Sequence, residues 1–146
     1  MSTTEVRQSA PARTEVERGA IRRFAKALGE TDPEFFDVDA ARAAGYPDLL
    51  APPTFAVTLA SGPIPGLQLP SAGNIHGEQE FSYRRPIFAG DKIDVVRSLI
   101  DAKEREGRTG RMRLVTFESR ATDEGGELVF TSRQVIIVRL SHEPLS

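Results

Sequence analysis

From Ile75 onward the side chains change period. Before it, apolar residues recur every three or four positions; after it, polar and apolar residues alternate. "IHGEQEFSYRRPIF" sets Gln79, Phe81 and Tyr83 against Glu78, Glu80 and Ser82, and "RMRLVTFESRATD" sets Met112 and Leu114 against Arg111 and Arg113. "DKIDVVRSLIDAKERE" begins as a strand and "ELVFTSRQVIIVRL" closes the set. Period-two runs bounded by "REGRTGR" and "DEGGE" predict strands joined by hairpins, since glycine supplies the backbone angles such turns need.

The first half reads differently. "RTEVERG" predicts a short strand or extended segment. In "AIRRFAKALG", Ile21, Phe24, Ala25 and Leu28 share one helical face, with Gly29 as terminator. "DVDAARAAG" predicts a second helix, with Asp37 or Asp39 as N-cap and Gly45 as its stop. "TFAVTLA" follows Pro52 and Pro53 and is apolar almost all round, so a buried central helix is expected from Pro53 to Ser61. "SGPIPGLQLPSAGN" is a loop. Helices followed by strands imply an α+β fold, an antiparallel sheet wrapped around a central helix. An open sheet leaves an edge strand unpaired, so a dimer is expected, with "HGEQEFSY" at or near the joining edge.

A chain of 146 residues fits one domain. A net charge of −2 argues against nucleic acid as a partner. The basic pairs Arg22–Arg23 and Arg84–Arg85 are either solvated surface or greet a phosphate-bearing ligand. The absence of cysteine excludes disulfides, thiolate catalysis and thiolate metal sites, and fits a cytoplasmic location. Two histidines, His76 and His142, are too few for a His-rich metal site, so no metal is expected. No apolar run reaches the ~18 residues that a membrane helix needs. The polar start "MSTTEVRQSAPAR" reads as a loose leader.

Three stretches carry candidate chemistry. "GETDPEFF" places Glu30 and Asp32 beyond a helix end, around a turn. It is either an Asx-type turn with Phe35 and Phe36 as core plugs, or a general acid–base carboxylate against an apolar wall. Alternation places His76, Glu78 and Glu80 on one strand face, either as solvated polar groups or as an imidazole oriented by a carboxylate. "RRPIFAGDK" is a bulge or wide connection between strands. No phosphate loop, nucleophile elbow or dinucleotide fingerprint occurs.

"EVERGAIRRFAKALGETDPEFFDVDAARAAGYPDLLAPPTF", followed by "HGEQEFSYRRPIFAGD", resembles the N-terminal, MaoC-like dehydratase domain of the hot-dog superfamily. The likeness runs from about Arg13 to Arg139 and divides the chain into a flexible leader (1–12), a hot-dog domain (13–140) and a tail (141–146). It implies a hot-dog fold, a homodimer or a heterodimer with another hot-dog subunit, and acyl thioesters as substrates. Coenzyme A or acyl carrier protein is then the substrate's carrier, with no other cofactor. The implied reaction is reversible dehydration of a (3R)-hydroxyacyl thioester to the trans-2-enoyl thioester. Catalytic members carry Gly-Asp-x-Asn-Pro-x-His. Here the Gly falls on Gly29, the Asp on Glu30, the Asn on Asp32, the Pro on Pro33 and the His on Phe35.

The resemblance makes His76, Asp32 and Glu30 the catalytic candidates. It makes Pro53, Thr54 and Phe55 of "APPTF", with Gly77 and Glu78 of "HGEQEF", the substrate-binding candidates. Two readings of function follow: a dehydratase in which His76 or Asp32 replaces the lost histidine, or a non-catalytic acyl-binding subunit completing a partner's site. A thioesterase is the third, because hot-dog folds host both chemistries.

Overall fold

The four alternating segments are strands of one antiparallel sheet. The computed structural model describes residues 7–70, 73–108 and 110–140. Its strands are β1 (Arg7–Gln8), β2 (Ala12–Glu15), β3 (Ile75–Tyr83), β4 (Lys92–Gly107), β5 (Gly110–Thr122) and β6 (Leu128–Arg139). They run in the order β1-β4-β5-β6-β3, with β2 also beside β4. Among the described residues, nothing pairs with the outer edge of β3.

Sheet pairing begins inside the stretch read as a flexible leader. Arg7 and Gln8 pair with Leu99 and Ser98. Ser9 is buried, its N–H donating to the Arg97 carbonyl at 2.8 Å and its hydroxyl accepting from the Arg97 N–H at 3.0 Å. Residues 1–6 and the tail 141–146, with His142, lie outside the described residues.

Both predicted helices form. α1 (Arg18–Ala27) buries Ile21 and Ala25. It stops at Gly29, whose φ of +75° lets the Gly29 and Glu30 N–H groups turn back onto the Lys26 and Ala25 carbonyls. α2 (Val38–Ala43) is capped by Asp37, which accepts from the Asp39 N–H, and ends the same way at Gly45.

The long helix expected from Pro53 to Ser61 is absent. Only Phe55–Thr58 coils, as a 3-10 turn. Pro52 and Pro53 on one side and Gly62–Pro63 on the other leave little room for an α-ladder. Within the turn, the Thr58 hydroxyl donates to the Phe55 carbonyl at 2.8 Å, a local bond that competes with helix. Nor is the segment buried all round: Phe55, Ala56 and Leu59 face the core while Val57 is 53% exposed.

The inner face of the sheet carries two apolar clusters. One joins Val95, Ala121 and Phe130 to Ile21 of α1, Leu49 and Phe55. The other joins Val115, Phe117 and Val138 to Ile64, with Leu67 and Leu69 packed against it. On β5, Val115 and Phe117 are buried on the inner face, whereas Met112 and Leu114 are half-buried on the opposite face. Paired residues project to the same side, so Arg97, Ser119 and Ser132 form a polar band between the two clusters.

Candidate functional site

The segment "GETDPEFF" folds as a helix end and a turn. Glu30 is exposed, with its backbone N–H spent on stopping α1. The Asp32 carboxylate accepts from the Glu34 N–H at 3.3 Å and so caps a 3-10 turn, Pro33–Phe35. Phe35 closes the turn and is only 7% exposed. The residue that the resemblance sets against the motif's histidine is thus part of the core.

That turn forms one wall of a cavity of about 460 Å³, lined among others by Asp32, Phe35, Pro52, Pro53, Tyr83 and Arg84. Tyr83, on β3, donates its hydroxyl to the Pro53 carbonyl, tying the strand to the "APPTF" segment. Its ring packs on Phe81 and Phe130 at 5.9 and 5.7 Å. Desolvation pushes the Tyr83 phenol from its ordinary 10.0 up to about 12, so it stays a neutral donor across the physiological range. The proton is bound more tightly in the folded state, so the stability this contributes is complete below pH 10 and is lost as pH rises towards about 12. Tyr83→Phe should flatten that alkaline decline in denaturation midpoints. Equal slopes in the two proteins would show that other groups govern it.

The basic pairs divide between structure and surface. Arg85 is engaged by Asp91 at 2.9 and 3.2 Å and reaches Asp123 at 3.5 Å. Arg22 donates to the Phe36 carbonyl at 3.0 Å. Arg84 is exposed at the cavity wall, with no ion-pair partner among the described residues.

His76 does not share a face with Glu78 and Glu80. The β3–β6 register shifts between His76, opposite Ile136, and Glu78, opposite Val135, which makes Gly77 a β-bulge. The extra residue reverses the alternation, placing His76 on the inner side and both glutamates on the outer side. The bulge fits a glycine: a Cβ there would lie 3.2 Å from Ile137 Cδ1. His76 is exposed, and about 20 Å of strand separates it from Tyr83 and the Asp32 cavity. Within one chain, then, His76 and Asp32 are not brought together. Of the other candidates, Thr54 is exposed and Phe55 is buried, edge-on to Phe24 at 5.5 Å. Among the described residues, no group of three His, Cys, Asp or Glu side chains is placed to hold a metal. No helix among them is long and apolar enough to cross a membrane.

A second cavity, of about 260 Å³, lies between the 3-10 turn at Phe55–Thr58 and the polar band of the sheet. At its floor the Arg97 guanidinium stacks on Phe117, 3.7 Å from the ring centroid, and donates to Gln134 Oε1 at 2.7 Å. Burial lowers its proton affinity. Neither Tyr83 nor Arg97 was legible as a site residue. Tyr83 read as one apolar member of an alternating strand, and nothing in "DKIDVVRSLIDAKERE" singles out Arg97.

The family described as "FAS1-like, dehydratase domain region" matches residues 4–132. The UPF0336 protein of Streptomyces griseus is 38% identical over 135 residues, covering 88% of this chain and 87% of its own. That of Saccharopolyspora erythraea is 40% identical over 131 residues, covering 86% and 81%. Among solved structures, the C-terminally truncated HadBC (3R)-hydroxyacyl-ACP dehydratase complex of Mycobacterium tuberculosis superposes with a TM-score of 0.75. It is 25% identical, with 93% of this chain and 98% of that one covered. The (R)-hydratase of A. caviae, at 22% identity and a TM-score of 0.68 over 95% and 100% of the two chains, shares the fold. The chain belongs to the FAS1-like dehydratase-region family, on a MaoC-like hot-dog fold.

Proposed function

We propose that this chain is the acyl-binding subunit of a (3R)-hydroxyacyl-thioester dehydratase, equally an enoyl-thioester hydratase, whose proton-transfer pair comes from a motif-bearing hot-dog partner. Dehydration takes a proton from C2 and releases the C3 hydroxyl as water, so it needs a group that accepts and returns a proton near neutral pH. The observation that carries the reading is Phe35. A phenyl ring 7% exposed stands at the motif's histidine position, and it can move no proton. The neighbouring Asp32 carboxylate serves as the cap of a turn.

Two features support a partner. Among the described residues nothing pairs with the outer edge of β3, nine residues long, so it can continue a sheet into a second subunit. The similar HadBC protein is itself a complex acting on hydroxyacyl-ACP. The thioester lies against Pro53 and Tyr83, with coenzyme A or acyl carrier protein as its carrier.

The test is hydration of crotonyl-CoA by the purified chain, alone and co-expressed with a chain bearing Gly-Asp-x-Asn-Pro-x-His. Activity in the complex is expected to exceed that of the chain alone by about 100-fold or more, the usual worth of a general acid–base group. Full activity of the chain alone, abolished in His76→Gln, would overturn the reading and assign the chemistry to His76.

A further inference from the structure

The polar band under the 3-10 turn has a charge problem that the acyl-binding role alone leaves unsolved. Arg13, Arg18 and Arg85 each meet an aspartate, at 2.8, 2.8 and 2.9 Å. Arg97 is half-buried, and no carboxylate reaches it among the described residues. A guanidinium has five N–H donors. One goes to Gln134 Oε1, and one face is covered by Phe117.

The groups around it are neutral and polar. Ser119 pairs across from Arg97, Ser132 from Ser119, and Gln79 from Gln134, all on the inner face. Together with Arg97 they floor the 260 Å³ cavity, whose apolar walls include Leu59, Phe81 and Phe130. A purely hydrocarbon occupant would strip water from a cation and four neutral polar side chains and return no hydrogen bond. A carboxylate would supply the missing charge and accept from the guanidinium fork.

The two cavities lie in line along β3. Tyr83 lines the larger one, and Phe81, stacked on Tyr83 at 5.9 Å, lines the smaller. Gln79 is the next inward residue, about 13 Å from Tyr83 along the strand. A thioester held at Pro53 and Tyr83 would run its tail past Phe81 toward Gln79 and Arg97.

We propose that the cavity receives an acyl tail ending in a carboxylate, paired to Arg97 and hydrogen-bonded by the surrounding serines and glutamines. This rests on the acyl-binding role and adds a substrate class to it: dicarboxylic acyl thioesters.

Calorimetric titration of the purified full chain, and of its complex with the partner, with suberoyl-CoA and octanoyl-CoA tests the proposal, since the two probes have equal carbon number. The dicarboxylic thioester is expected to bind about tenfold more tightly, the worth of one charge-assisted hydrogen bond. Arg97→Gln is expected to bring the ratio to parity, and Arg97→Lys, which keeps the charge and loses the fork, to retain part of it. The Lys variant and the wild-type ratio keep the test decisive if the Gln variant fails to fold. Equal affinity of both thioesters for the wild-type protein would overturn this inference and leave the acyl-binding role standing. So would a preference that survives Arg97→Gln. Binding of neither thioester would sink the acyl-binding role, and the inference with it.

Discussion

Phe130→Ala is expected to cost about 3–5 kcal/mol and to lower the melting temperature by roughly 10 °C or more. The phenyl ring is 2% exposed and sits where three parts of the fold meet. It pairs with Ala121 on β5 and Tyr83 on β3, and it belongs to the same cluster as Ile21 of α1. Phe81 packs edge-on against it at 6.0 Å, and Tyr83 lies tilted at 5.7 Å. Removing the ring deletes buried area and also frees the two aromatics that hold the edge strand. The β-sheet is too rigidly paired for the space to collapse, so the full cavity cost applies. Thermal denaturation followed by circular dichroism reads the effect. A loss under about 1 kcal/mol would mean that Phe81 and Tyr83 move in to fill the void.

Asp91→Ala should be the most damaging polar substitution, at about 2–4 kcal/mol. Asp91 closes the "FAGD" turn that leads into β4. Its Oδ2 accepts from both the Phe88 N–H and Arg85, each at 2.9 Å. Its backbone carbonyl accepts from the Val16 N–H at 2.7 Å, fastening the segment before α1. Truncating the side chain leaves the part-buried Phe88 N–H unpaired and takes from the part-buried Arg85 its nearest carboxylate, which costs more than the bonds themselves were worth. Arg85 keeps Asp123 at 3.5 Å as a weaker partner, which places the loss below that of a fully buried pair. The Arg13–Asp94 bridge is the natural control: at 2.8 Å it is no longer, but Arg13 is 52% exposed. Arg13→Ala should therefore leave the urea midpoint almost unchanged. If the two substitutions proved equally mild, the Arg85 cluster would be a surface feature.

The elements with local punctuation were legible in the sequence. Gly29 and Gly45 mark helix ends because only a left-handed residue completes those caps, and both helices stop there. Alternation located all four long strands, because half-buried strands must alternate. The segment from Pro53 to Ser61 was misread because a short apolar run has no period of its own; the prolines and glycine around it decide whether it can coil. On β5, three consecutive buried residues, Val115, Thr116 and Phe117, hide which side is inward, and only the register resolves it.

The candidate site divides the same way. Sequence spacing placed Asp32 and Phe35 at a turn after a helix, because that contact is local. The meeting of that turn with Tyr83, and of Arg97 with Gln134, joins residues tens of positions apart through strand order, which no spacing rule encodes.

The bulge at Gly77 divides one strand into two halves under different packing constraints. A single inserted residue exchanges the side chains shown to either side, but only upstream of itself. From Gln79 to Tyr83 the strand stays locked to β6, with its ring stack and cavity linings in place. The stretch before the bulge can gain or lose a residue and rewrite its chemistry while the core half keeps its phase. A bulge of this kind frees one end of a strand to change its side chains while packing fixes the other.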